Sequence, residues 1–217
     1  MEDYLNMFEE SSVFDNKIKD IVEFVKENFD DILSIVEKIG AALLLWKVSS
    51  AFTGLIGTLA GLAAAGLTAA LVFEVSTLFT NEYLKTGDIG WLVADILSTA
   101  VGAYFGKTIL DKVLDGAGGD IFIPLAFALS ATASIIALVE DTNVDAFSEK
   151  GLLTALTAAL EGGVAAGYLA HIVGGTLGES LLGGVVGTIG TFGIAIALKA
   201  DAKVSAEGIT PDAVRQQ

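Results

Sequence analysis

Apolar stretches of helix-forming length recur along this chain with short acidic connectors between them, and the recurrence is in register. Segment 66–106 (GLTAALVFEVSTLFTNEYLKTGDIGWLVADILSTAVGAYFG) aligns without gaps on 127–167 (FALSATASIIALVEDTNVDAFSEKGLLTALTAALEGGVAAG), an offset of about 61 residues. Gly90 falls on Gly151, Gly102 on Gly163 and Gly106 on Gly167. A third, shorter copy begins near Gly187, where TIGTFGIAIALKADAKVSAEG again gives an apolar helix and an acidic linker. One such unit cannot hide its own apolar surface, so repetition implies either stacked copies or insertion into a membrane.

Hydrophobic residues make up 53% of the chain and charged ones 18%, against a usual apolar share of about 45–50%. The net charge of −15 argues against direct nucleic-acid binding, because neutralising phosphates requires clustered Lys and Arg. Zero cysteines exclude disulfides and thiolate metal sites, and two prolines leave little to interrupt helices. His171 is the single histidine, and nothing around it resembles a nucleophile elbow, so no enzyme is expected. GGTLGESLLGG at 174–184 lacks the Gly-Lys-Ser/Thr of a phosphate loop. Asp141, Asp145 and Glu149, or Asp115 with Asp120, lack EF-hand spacing and read as solvated linkers, so no cofactor or metal is expected. The acidic start, MEDYLNMFEESSVF, lacks a signal peptide's basic region, which implies synthesis in a cytosol. Thr210, Pro211 and Asp212 have the order of a helix start close to the last residue, which implies a segment of a longer protein.

Segment 15–43 reads as an amphipathic helix. Ile18, Val22, Val25, Phe29, Ile32, Val36, Ile39 and Leu43 alternate spacings of four and three, a heptad seam suited to self-association or to packing on the rest of the chain. Beyond Gly40 apolarity extends to all faces. The uncharged run 48–73 exceeds the roughly 20 residues that cross a bilayer core, 121–139 is the cleanest span, and 181–198 is also uncharged. Segments 89–105 and 151–173 are ambiguous because they carry Asp95, and Glu161 with His171. Spans built from Ala, Gly, Thr and Leu insert marginally, which suits a chain that waits in water before entering a membrane.

Small residues at four-residue spacing, Gly57/Gly61, Gly102/Gly106, Gly163/Gly167, Gly174/Gly178 and Gly183/Gly187, let helices approach closely. Glu74, Asp95, Glu161 and His171 interrupt apolar stretches; in a membrane they would face a lumen or partner helix, and in a soluble bundle they would point outward. The expected fold is all-α: a long amphipathic helix (1–43), a first apolar helical module (44–120), a second (121–180), a partial third (181–204), and a linker opening a further helix (205–217). Hairpin turns are predicted at 81–88, 115–120, 141–150 and 174–179, where Gly and acidic residues break the runs.

The order of parts, ILSIVEKIGAALLLWKVSSAFTGLIGTLAGL and then GLTAALVFEVSTLFTNEYLKTGDIGWLVADILSTAVGAYFGKTI and its next copy, resembles the membrane-active portion of long-tailed phage tape measure proteins. The resemblance covers about three quarters of the chain and is modular, not catalytic. It implies a helical protein in the lumen of the tail tube, in contact with tube proteins, that sets tail length and leaves ahead of the genome. It further implies self-association, with three chains the favoured number, and insertion among host membrane lipids to help form a channel that DNA passes without being bound. Acidic connectors fit such a channel, since negative charge does not trap DNA. A self-standing membrane pore or holin-like protein would use the same spans. A soluble Ala/Gly-rich helical bundle is the third reading.

Overall fold

The computed structural model describes residues 26–51, 54–114, 116 and 118–206. Ile18, Val22, Val25, Asp115 and Thr210 to Asp212 lie outside them, and nothing is described of the Phe29 and Ile32 side chains. The described residues are all-α, in six helices: α1 (Phe29–Ala51), α2 (Leu55–Thr86), α3 (Gly90–Val113), α4 (Phe122–Glu140), α5 (Glu149–Ile172) and α6 (Leu177–Ala206), with a 3-10 turn (Gly119–Ile121) before α4. The chain divides at residue 38 into two compact units. In the first, Val36 of the seam is exposed; in the second, Ile39 and Leu43 are exposed while Ala42 is fully buried.

Local chemistry sets the helix ends. Gly54 takes φ 76°, ψ −152°, a conformation open to glycine and costly for other residues, and α2 begins immediately after it. The expected uninterrupted span 48–73 is therefore broken, and the apolar stretch of α2 runs instead over Gly57–Thr86. α2 ends at Gly87, whose φ of 78° gives a left-handed cap with its N–H bonded to the Tyr83 carbonyl. Residues 81–86, placed in a turn by the sequence, belong to the last turns of that helix. Ser148 caps α5 by accepting from the Gly151 N–H at 3.1 Å. Thr176 and Glu179 make a reciprocal capping box at α6: Glu179 N–H donates to Thr176 Oγ1 at 3.3 Å, and Thr176 N–H donates to Glu179 Oε2 at 2.7 Å.

The in-register repeat becomes a pair of antiparallel helical hairpins, α2–α3 and α4–α5, with α6 laid along α5. The hairpins meet through α2 and α4. Lys150 Nζ reaches across to the Leu84 carbonyl at 2.7 Å, while Lys199 and Lys203 of α6 bond the Asp141 carbonyl and the Asp145 carboxylate. At the opposite end, Lys107 bonds Asp111 and pairs with Asp120 at 3.1 Å, and Tyr168 donates to Asp120 at 3.2 Å. Lysine–carboxylate contacts thus mark two ends, and the surface between them is apolar apart from the half-buried Glu74 of α2.

Candidate functional site: a buried polar centre

Two apolar plugs occupy the ends of the bundle interior. One is built on Tyr83, Leu84, Leu92, Leu138 and Val144, the other on Val72, Ile109, Phe122 and several alanines. Between them the interior turns polar. Four pentapeptides supply it, each with polar residues four apart and therefore stacked on one helix face: Ser76–Thr80 (STLFT), Asp95–Thr99 (DILST), Ser130–Ser134 (SATAS) and Thr157–Glu161 (TAALE). All eight end residues are buried.

Asp95 and Glu161, a third of the chain apart in sequence, both bond the same Ser130 hydroxyl, at 3.3 Å to Asp95 Oδ1 and 2.6 Å to Glu161 Oε1. Asp95 Oδ2 accepts from Thr80 at 3.3 Å and from Ser134 at 3.2 Å. Hydroxyls complete the network: Ser76 to Ser130 at 2.6 Å, Thr99 to Ser130 at 2.9 Å, Ser76 to Thr99 at 3.4 Å and Thr80 to Ser134 at 3.0 Å. Thr157 stands one turn before Glu161 and bonds the Leu153 carbonyl. Glu161 Oε2 is buried without a hydrogen-bond partner. No Lys, Arg or His bonds either carboxyl among the described residues. Burying two carboxyls without a basic partner costs several kcal/mol unless hydroxyl donors and protonation offset it.

Apart from the side chains of the two plugs, the buried residues are largely Ala, with Ser and Thr gathered in the centre, whereas many large apolar side chains face out: Tyr104 is 72% exposed, Val101 70%, Ile189 68% and Leu182 64%. α2, α4, α5 and α6 are each long and apolar enough to cross a membrane, with mean hydropathies of 1.8, 2.2, 1.4 and 2.0 in their most apolar windows. α3, which carries Asp95, Lys107, Asp111 and Lys112, is not among them. Hydrogen bonds to Asp111 and then Asp120 raise the pKa of Lys107 above the ordinary lysine value, fixing its charge at that end.

No protein-family model, curated protein or solved structure matches the chain.

Of the four polar residues singled out in the sequence, Asp95 and Glu161 come together in the centre, so neither points outward. Glu74 is half-buried on α2 and takes no part in the network. His171 is exposed at the end of α5, its ring 6.2 Å from that of Tyr168. The hydroxyls of Ser76, Thr80, Thr99, Ser130 and Ser134 went unnoticed in the sequence, though the shared four-residue spacing was there to be read.

The glycines mark the close approaches. A Cβ on Gly163 would lie 2.1 Å from Thr188 Oγ1, and one on Gly187 would lie 2.6 Å from Ala166 Cβ, so α5 and α6 meet small face to small face. Gly167 and Gly183 join the same contact, since a Cβ on either would come within 3.3 Å of the other helix's backbone. Gly102 and Gly106 instead face Val72 of α2 and Phe122 of α4. Gly57 and Gly61 are buried on α2, and Gly174 at φ 94° lies in the loop before α6. The two in-register glycine pairs thus have different partners, because α6 accompanies only the second hairpin.

Proposed function

We propose that the described residues from 39 to 206 form a membrane-inserted helical bundle, and that the chain is a membrane-active segment of a phage tail tape measure protein. The observation that carries the membrane reading is the inversion: Ala, Ser, Thr and two carboxyls inside, with Leu, Val and Ile outside. A bilayer rewards that outer surface, whereas in water it would be an apolar patch far larger than soluble monomers carry. Charge gathered at the two ends supports the same orientation across a bilayer.

The phage reading rests on the modular order of the sequence and on the exposed seam residues Val36, Ile39 and Leu43, which are available to other copies. The centre of one bundle is filled by its own polar residues. DNA would accordingly pass between associated copies, and the part played is structural, not enzymatic. In the virion the same segment would lie in the tail lumen against tube proteins; in the infected cell it would lie in the host membrane. A second reading, a self-standing pore or holin-like protein, draws support from the compactness of the 39–217 unit.

The test is reconstitution. Purified chain added to liposomes is expected to co-float with them and to release entrapped dextrans of graded size, while crosslinking yields a ladder ending at a fixed number of chains. A chain that neither binds vesicles nor releases any dye refutes the membrane reading. Binding without a ladder at any protein density refutes the multi-chain conduit.

A further inference from the structure

The hydrogens in the polar centre do not suffice for its contacts. Eight close oxygen–oxygen contacts join the two carboxyls and five hydroxyls, and five hydroxyls carry five hydrogens. The shortage concentrates at Ser130. Its single hydrogen is contested by Asp95 Oδ1 and Glu161 Oε1. An ionised carboxylate only accepts, so with both acids ionised one of them faces the Ser130 oxygen with nothing between. Glu161 would then also hold Oε2 buried without a donor.

We propose that the centre is a proton-binding site in which Glu161 carries the proton, donates it from Oε1 to Ser130, and stands beside an ionised Asp95. Ser130 is thereby freed to donate to Asp95, which also accepts from Ser134, while Thr80 donates either to Asp95 or to Ser134. The 2.6 Å separation between Glu161 and Ser130 accommodates an O–H···O hydrogen bond with the hydrogen on either oxygen. Oε2 becomes the carbonyl oxygen of a neutral acid, for which burial without a partner costs far less than for an anion. Among the described residues, the titratable group turned toward Glu161 from a packed helix is Asp95 on α3, whose charge favours the protonated form of its neighbour. α2 and α4 present hydroxyls, and α6 at this level presents Thr188 and Thr191, against Gly163 and Gly162.

The consequence is a proton-linked closure. When the helices separate, Glu161 meets water and releases the proton, so the closed bundle binds one proton more than the open one. Closed-state stability therefore falls as pH rises above the range of an ordinary exposed glutamate, by up to tenfold in the closing equilibrium constant per pH unit. This needs only the closed bundle and is independent of the phage-tail reading.

The test uses the full chain in detergent micelles, with circular dichroism following denaturant-induced opening between about pH 5 and pH 9. The wild-type constant is expected to fall with pH toward that tenfold slope. Glu161→Gln, neutral and able to donate from its amide, should remove the slope, while Thr132→Ala keeps it. A flat wild-type profile, an unchanged slope in Glu161→Gln, or restoration of stability at high pH by added Na+ or Ca2+ would overturn the proposal. Should Glu161→Gln fail to fold, infrared spectroscopy of the wild type decides: a protonated-carboxyl band at neutral pH supports the assignment, and its absence overturns it.

Discussion

Replacing Ser130 with alanine tests the polar centre at its most connected atom. Ser130 Oγ is buried and lies within hydrogen-bonding distance of Ser76, Thr99, Asp95 and Glu161. The losses differ among these partners. Asp95 keeps Thr80 and Ser134, and Ser76 keeps Thr99 at 3.4 Å, but Glu161 loses its one hydrogen-bond partner. A buried polar group left unpaired costs about 1–3 kcal/mol, and the lost bond to Asp95 adds about 1 kcal/mol. Alanine recovers roughly 0.5 kcal/mol through better helix propensity. The net expectation is a destabilisation of about 1.5–3.5 kcal/mol. Thr132, two residues away on α4, is exposed and bonds only the Ala128 carbonyl, so Thr132→Ala should change stability by less than about 0.5 kcal/mol. Denaturant titration of both variants in the same micelles measures the difference. If Ser130→Ala is as stable as Thr132→Ala, the network contributes nothing to holding the hairpins together and the reasoning fails.

Glycine substitutions should divide by partner. At Gly106 a Cβ would lie 2.0 Å from the ring of Phe122, which is 1% exposed, so Gly106→Ala should destabilise by about 1–3 kcal/mol. Gly66, on an exposed face of α2 with nothing within 4 Å, should gain up to about 1 kcal/mol on becoming alanine; the same titrations check both. Gly187→Leu should separate α6 from α5, seen as faster protease cleavage between 173 and 177, while the α2–α5 network stays intact. Arginine at Ile189, 68% exposed on α6, should weaken vesicle binding by about 3 kcal/mol if that face meets lipid; unchanged binding in a flotation assay would count against it.

The sequence made some of this readable and hid the rest for identifiable reasons. The hairpins followed from the repeat and from the Gly and acidic residues that break the apolar runs; the caps at Gly87, Ser148 and Thr176/Glu179 are local signals that went unread. The break at Gly54 was obscured because uncharged residues flank it on both sides, and hydropathy alone does not report a left-handed backbone. Asp95 and Glu161 stood out as charges in apolar runs, but their meeting through Ser130 depends on how the two hairpins face each other. That register is tertiary. Ser76 meets Ser130, and Thr80 meets Ser134, at a separation of 54 residues, whereas the sequence repeat has a period of about 61. The difference of about two helical turns keeps the same faces together while pairing residues that the alignment does not match. The preference of Gly163 and Gly167 for α6 was equally invisible, since the first hairpin offers no equivalent neighbour.

The absence of cysteine allows the central claim, that the apolar outer surface faces lipid, to be tested with single introduced thiols. Spin labels at Leu160, Leu182 and Ile189, all exposed on the apolar band, are to be compared in liposomes with a label at Asn143, exposed in the connector between α4 and α5. The account predicts that the first three collide with membrane-dissolved oxygen and are shielded from a water-soluble paramagnetic nickel chelate, while the label at Asn143 shows the reverse. Equal access of the nickel chelate to all four positions would contradict it.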